Sequence, residues 1–211
     1  DRTAMQLTLD AVLAAVADAG LRLDDIDGLA TFPGGGVGNV PGYGGPNLYE
    51  LQDALGLTTR WRQGMVEGFC LPFYSAVQAV AAGQARHVVV YRTVKEGSAA
   101  RNAGGRPAYG STKPMAEGPV AWLLPLGALS PVVHVAPYAT RYLHDFGVTR
   151  EQLGWIPVTQ RAHAGLNPDA VYRDPLTIDD YLASRMISTP ICLFDCDVPL
   201  DGATAFVVSA A

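Results

Sequence analysis

The chain has 211 residues, of which 49% are hydrophobic, and carries a formal net charge of -5. This length fits one domain or one large half of a two-domain enzyme, and the apolar content excludes an intrinsically disordered chain. No cluster of Lys and Arg marks a nucleic-acid-binding face, and no apolar run reaches the roughly 18 residues that a membrane-spanning helix needs.

The cysteines indicate the cellular compartment. Cys70, Cys192 and Cys196 are an odd number, which suits a reducing cytoplasm better than a disulfide framework. Cys192 and Cys196 have no further Cys or His neighbours to complete a ligand set, so we expect no metal site. The sequence shows no signal peptide and begins with Asp1 rather than Met, so we expect further residues before it.

Helices and strands alternate in the first part of the chain. Apolar residues at helical spacing predict a helix over residues 3–19, with Gly20 as its C-terminal cap. The other elements predicted here are a buried strand at 28–32, a Gly/Pro loop at 33–46, a short helix through Leu48, Leu51 and Leu55, a short strand at Met65 and Val66, a helix over 71–82 that ends at Gly83, and a strand at 87–91.

The second part of the chain begins with residues 95–118, which are rich in Gly, Ser, Ala and Pro and predict a long loop of functional, mobile or interface character. The elements predicted after it are a helix at 138–146 closed by Gly147, a helix from the capping-box pair Thr149 and Gln152 to about Ala164, a helix from Thr177 through Met186, and a strand at 204–209. Together these elements predict an α/β layered domain with a central, mostly buried mixed sheet flanked by helices.

The most informative segment is 66–76, where Cys70 stands between a predicted short strand and a predicted helix. A helix N-terminus favours an anion and stabilises a thiolate, which is what a nucleophilic cysteine requires. The alternative is that Cys70 is a small buried apolar residue. Glu67 is a candidate acid or base, with a buried, paired carboxylate as its alternative role, and Phe73 and Tyr74 are candidate substrate-binding residues.

Several other segments accompany Cys70 in a fixed order along the chain. They are residues 17–21 and 24–28, Ala76, Gly83 with the strand at 87–91, Asn167-Pro168, residues 173–177 and 184–187, and residues 201–205 with the sequence Asp-Gly-Ala-Thr-Ala. This ordered set resembles the thiolase superfamily, especially its lipid-transfer-protein type, to which the thiolase part of sterol carrier proteins and the steroid side-chain aldolases are related. The resemblance covers nearly the whole chain.

The resemblance implies that residues 1–211 are a thiolase-like N-terminal domain, with the long loop at about 95–118, and that the C-terminal half of the fold is absent. It implies that Cys70 stands at the family's nucleophile position. The His-containing motif, the second catalytic cysteine and the oxyanion-hole residues belong to the other half, so this stretch alone is expected to be inactive. Phe73 stands where the family usually has a glycine, and a phenyl group there obstructs the approach of a substrate.

Three functions follow as hypotheses, and the first is favoured. It is an aldolase-like lyase that cleaves a β-hydroxyacyl-CoA in lipid or steroid side-chain degradation, together with a small OB-fold partner protein. The second is a β-ketoacyl-CoA thiolase that uses Cys70 as its nucleophile, and the third is a non-catalytic acyl-CoA-binding subunit. The resemblance implies at least a homodimer, and we expect no cofactor besides the CoA thioester, which is the substrate.

Overall fold

The computed structural model describes residues 2–32, 45–64, 70–98, 125 and 130–210. The chain divides into two compact units, one formed by Asp1–Lys113 with Pro199–Ala211 and the other by Pro114–Val198. The elements of the first unit are α1 (Ala4–Asp18), β1 (Gly28–Thr31), α2 (Leu48–Leu55), β2 (Trp61–Gly64), α3 (Leu71–Ala81), β3 (His87–Lys95) and β6 (Asp201–Ser209). The predicted α/β class is confirmed.

The first unit is built on a four-stranded sheet with the strand order β2-β1-β3-β6. Strand β1 pairs in parallel with both β2 and β3, whereas β6 pairs antiparallel to β3 along its whole length, from His87 opposite Ser209 to Lys95 opposite Asp201. All residues of β1 are buried, as expected for a strand covered on both faces. The predicted mixed, mostly buried sheet is therefore confirmed.

Side chains of the central strands point alternately to the two faces of the sheet, so the core consists of two layers. Leu29 and Val89 lie in one cluster with Val12 of α1 and Leu51 of α2. Ala30, Val88 and Val90 lie in the other cluster with Ala76 of α3. Since successive side chains of a strand point to opposite faces, helices α1 and α2 cover one face of the sheet and α3 covers the other.

Local signals in the sequence explain where the helices begin and end. Helix α1 starts at a capping box formed by Thr3 and Gln6, and Asn47 caps α2 in the same way. Gly20 and Gly83 follow α1 and α3 with φ of +68° each, a left-handed conformation that glycine adopts without strain. The helices predicted over these segments are confirmed.

Some predictions in the first unit differ from the structure, and others fall outside the described residues. Strand β2 lies at Trp61–Gly64, and the predicted strand residues Met65 and Val66 lie outside the described residues. Strand β3 continues to Lys95 and residues 96–98 are helical, so the chain is regular where the long loop was predicted to begin. The remainder of that loop, and the predicted Gly/Pro loop as far as residue 44, also lie outside the described residues.

The second unit contains α4 (Pro131–Phe146), α5 (Arg150–Leu166), α6 (Ile178–Ala183), β4 (Met186–Ser188) and β5 (Ile191–Cys192). Helix α4 begins at Pro131 rather than at Tyr138, the start predicted from the sequence. Proline is favoured in the first turn of a helix, because an N–H group at that position would form no hydrogen bond within the helix. Helix α6 ends at Ala183 because Ser184 is extended, and Met186 belongs to a strand instead of the predicted helix.

The capping box of Thr149 and Gln152 starts α5 as predicted. Within α5, Gly154 lets the ring of Tyr181 approach closely, since a Cβ at Gly154 would lie 2.5 Å from Tyr181 Cδ1. None of the helices in the described part of the chain combines the length and the apolar character that crossing a bilayer requires.

Candidate functional site

Cys70 immediately precedes α3 and serves as its N-cap residue, with φ -93° and ψ -11°. Its thiol is free, its side chain is exposed, and it makes no capping hydrogen bond to the helix. The structure thus presents an accessible thiol at the start of a helix, rather than a small buried side chain. This is the position, at a helix N-terminus, at which the sequence predicted a nucleophilic cysteine.

The local sequence explains why the helix starts at this point. Pro72 occupies the first turn of α3, where its fixed φ matches the helical value. Backbone N–H groups in the first turn have no acceptor within the helix, so the missing N–H of proline costs no hydrogen bond there. The N–H of Tyr74 donates to the carbonyl oxygen of Cys70 at 3.1 Å, which closes the first turn. Since proline has no N–H, Leu71 and Phe73 supply the backbone N–H groups of the first three helical residues.

Helix α3 is held against the sheet by small side chains. Ala76 and Ala79 are buried, as is Pro72, and they recur at the spacing of one helix face. Small residues let the helix backbone lie close to β1 and β3, so the position of Cys70 is fixed by the sheet rather than by a loop alone.

Phe73 and Tyr74, the candidate substrate-binding residues, lie in the first turn of α3 and are both half exposed. The ring of Phe73 meets the ring of Phe206 edge-on, with 6.2 Å between their centroids and 74° between their planes. Phe206 belongs to β6, whose Val208 packs in the same cluster as Ala76. The two phenyl rings therefore form an apolar surface that flanks the helix start.

The sequence did not identify Phe206 as part of this site. The alternation of side chains along β6 could have indicated it. Ala205 and Val207 pack against the cluster that contains α1, so Phe206 between them faces the other side of the sheet, where α3 lies. Only the antiparallel pairing of Phe206 with Val90, however, brings it across from Phe73. Glu67, the candidate acid or base, lies outside the described residues.

Asp201 begins strand β6 and pairs with Lys95. Its Oδ1 accepts a hydrogen bond from the N–H of Ser98 at 2.8 Å, and its Oδ2 accepts a short one from the Ser98 hydroxyl. The carboxylate therefore tethers residues 96–98 to the start of β6, which is a structural role.

Two buried tyrosines also have structural roles. The hydroxyl of Tyr91 donates to the carbonyl oxygen of Pro46 at 3.0 Å, and burial raises the pKa of its phenol above the ordinary value. The hydroxyl of Tyr181 donates to Asp195, with distances of 3.0 and 3.2 Å to the two carboxylate oxygens. Burial, reinforced by Asp195, raises the pKa of Tyr181 as well. Both phenols are neutral anchors at physiological pH.

The cysteines of the second unit have no arrangement suited to chemistry. Cys192 is buried and its N–H donates to Asp195 at 2.7 Å. Burial, followed by the negative charge of Asp195, raises the pKa of the Cys196 thiol, which keeps it protonated and unreactive. Over the described ranges, no group of His, Cys, Asp and Glu side chains is placed to hold a metal ion.

Comparison with known proteins places these features in a family context. The chain is 38% identical over 98% of its length to a steroid side-chain-cleaving aldolase of Thermomonospora curvata, of which it covers 52%. It is 34% identical over its full length to a 17-hydroxy-3-oxo-4-pregnene-20-carboxyl-CoA lyase of Mycobacterium tuberculosis, of which it covers 53%. The chain thus spans about half the length of the curated relatives it matches.

The same relationship holds at the level of structure. A solved Ltp2-ChsH2(DUF35) aldolase superposes with a TM-score of 0.71 at 33% identity, covering 99% of this chain and 51% of that one. No protein-family model matches the chain.

Proposed function

This chain is a homologue of the steroid side-chain-cleaving aldolases and has a thiolase-like fold, and from that premise we propose that it is the N-terminal half of a carbon–carbon lyase acting on acyl-CoA thioesters. The observation that carries the proposal is the 38% identity to an aldolase across 98% of the chain. The placement of Phe73 in the turn that follows Cys70 supports a reaction in which the thiol carries no acyl group.

The proposed reaction is a retro-aldol cleavage of a β-hydroxyacyl-CoA. A base removes the proton of the β-hydroxyl group, the bond between the α and β carbons breaks, and the β carbon leaves as a ketone. The electron pair of that bond forms a thioester enolate, which hydrogen-bond donors stabilise until a proton is added to give the shorter acyl-CoA. No covalent bond to Cys70 forms in any step.

The substrate class is proposed from the relatives. One relative is named as a lyase of a hydroxylated pregnene carboxyl-CoA, which is a steroid CoA thioester. A bulky, apolar acyl group of this kind is compatible with the exposed phenyl groups of Phe73 and Phe206. We therefore propose a β-hydroxyacyl-CoA with a steroid or comparable lipid acyl group.

The assembly is proposed on the same basis. The related solved structure is named as an Ltp2-ChsH2(DUF35) aldolase, which supports a small OB-fold partner protein for the present chain as well. A homodimer of the thiolase-like subunit completes the proposed assembly. All three cysteines are free, which fits a reducing compartment such as the cytoplasm.

A thiolase is the second candidate, and one observation favours it. The Cys70 thiol is exposed at a helix N-terminus, which is a position that nucleophilic cysteines occupy. In this alternative Cys70 attacks a β-ketoacyl-CoA and carries the acyl group until free CoA accepts it.

The test of the lyase is a product analysis on the full-length protein with its partner. We expect a β-hydroxyacyl-CoA to yield a ketone and a shorter acyl-CoA, identified by mass. The matched control is the acyl-CoA that lacks the β-hydroxyl group, which cannot undergo retro-aldol cleavage. A β-hydroxyacyl-CoA that stays intact with the partner present contradicts the proposal.

A further inference from the structure

Phe73 lies within one helical turn of the thiol that a thiolase would use. Cys70 is the N-cap of α3 and Phe73 is the third residue of the helix, so the two are three positions apart. Residues at this spacing are neighbours on a helix surface, with roughly 5–6 Å between their Cβ atoms. Phe73 is therefore a helical neighbour of Cys70 on this surface.

The ring of Phe73 is also held in place from the sheet. Phe206 meets it edge-on, and Phe206 is fixed in turn by the antiparallel pairing of β6 with β3, where it stands opposite Val90. Edge-to-face packing is a preferred geometry for two aromatic rings. A reorientation of the Phe73 ring would break this contact, so the contact favours the ring orientation that the structure shows.

An acyl group on Cys70 needs the space beside the sulfur. In the acylation step, the Cys70 thiolate attacks the thioester carbonyl carbon, a new carbon–sulfur bond forms, and the bond to the CoA sulfur breaks. The CoA thiolate leaves and takes up the proton that the Cys70 thiol has given up. The acyl group then remains covalently attached within the first turn of α3.

We propose that Phe73, anchored by Phe206, is the residue that determines the reaction type at this site, because its ring occupies the space an acyl group on Cys70 would need. The inference deepens the proposed function and rests on it for its biological meaning. Phe73 thereby prevents transfer of the acyl group from CoA to Cys70, so the thioester stays on CoA. Thiolase chemistry is excluded although the thiol itself is exposed.

The experiment measures acylation of Cys70 in the full-length protein, using acetyl-CoA and hexanoyl-CoA as acyl donors and intact-protein mass as the readout. We expect wild type to stay unacylated, and Phe73→Gly and Phe73→Ala to accumulate at least about tenfold more acyl-protein. Phe206→Ala, which leaves the ring of Phe73 in place but unanchored, is expected to give an intermediate amount. Cys70→Ala in the Phe73→Gly background removes the acyl group.

Two controls keep the test decisive. Val77→Ala removes apolar bulk from an exposed position of the same helix and is expected to leave Cys70 unacylated. Iodoacetamide, a much smaller electrophile, is expected to alkylate Cys70 in wild type and in both Phe73 variants.

The inference is overturned if wild type acylates as fast as the variants, or if both Phe73 variants remain unacylated. Failure of the proposed lyase function gives a different result: β-hydroxyacyl-CoA stays intact in wild type, whatever Phe73→Gly does with an acyl donor.

Discussion

Asp27 and His87 form two reciprocal hydrogen bonds at the start of the parallel strands β1 and β3. The N–H of Asp27 donates to the carbonyl oxygen of His87 at 3.1 Å, and the N–H of His87 donates back to Asp27 Oδ1 at 2.9 Å. The same Oδ1 accepts from the N–H of Arg86 at 2.8 Å, and the carbonyl oxygen of Asp27 accepts from the N–H groups of Arg60 and Trp61. One residue thereby joins β1, β2 and β3 at one end of the sheet that supports α3.

Replacing Asp27 is therefore expected to destabilise the first unit. Asp27→Ala leaves two backbone N–H groups without their acceptor and should lower the free energy of unfolding by about 1–3 kcal/mol. The measurement is the midpoint of urea unfolding at unchanged slope. Asp27→Asn keeps an acceptor oxygen and is the matched control, with a smaller loss expected. Equal midpoints for Asp27→Ala and wild type would show that the carboxylate is dispensable.

Gly154 should not tolerate even a methyl group. A Cβ there would lie 2.5 Å from Tyr181 Cδ1 and 2.6 Å from Ile178 Cδ1, so Gly154→Ala must displace the buried ring of Tyr181 and the side chain of Ile178. We expect a loss of about 1–3 kcal/mol in the free energy of unfolding, typical of overpacking. Gly165→Ala in the same helix is the control, since its Cβ would meet only Arg173 O at 3.4 Å.

The control variant should be neutral or stabilise by up to about 1 kcal/mol, because alanine is the better helix former. Thermal unfolding of the two variants side by side checks the contrast. A Gly154→Ala protein as stable as Gly165→Ala would contradict the close approach of Tyr181.

The buried phenols predict how stability changes at alkaline pH. Burial raises the pKa of both Tyr91 and Tyr181 above the ordinary value of 10.0. Their contribution to stability is therefore complete below pH 10 and is lost as the pH rises further, because the unfolded chain releases these protons before the folded chain does.

We expect the free energy of unfolding to fall less steeply above pH 10 in a variant with both Tyr91→Phe and Tyr181→Phe than in wild type. Urea unfolding at a series of alkaline pH values provides the measurement. Tyr138→Phe, which removes an exposed hydroxyl, is the control. Identical slopes for wild type and the double variant would contradict the assignment.

Much of the fold could be read from local signals in the sequence. The pairs Thr3 with Gln6 and Thr149 with Gln152 are capping boxes that mark helix starts within a few residues, and Gly20 marks a helix end by its left-handed backbone. Such signals act within one helical turn, so they do not depend on the rest of the chain.

The elements that could not be predicted depend on tertiary contacts, or on residue types such as proline that occur both within helices and at their ends. Strand β2 carries Trp61, Arg62, Gln63 and Gly64, a set without a clear apolar alternation, and it is defined by its pairing with β1 rather than by its own composition. Pro137 is a typical helix breaker, yet α4 continues through it, and Pro131 opens the same helix as a first-turn residue. Cys70 is recognisable from its local sequence, whereas Phe206 joins it only through the register of β6 on β3.

The most direct test of the account compares the full-length protein with its Cys70→Ala variant, each supplied with its partner. Both are offered a β-hydroxyacyl-CoA, and separately a β-ketoacyl-CoA with free CoA, and the products are identified by mass. We expect ketone release from the β-hydroxyacyl-CoA in both proteins, because no step of the retro-aldol reaction uses the thiol. CoA-dependent thiolysis by wild type that disappears in Cys70→Ala would contradict it and identify a thiolase.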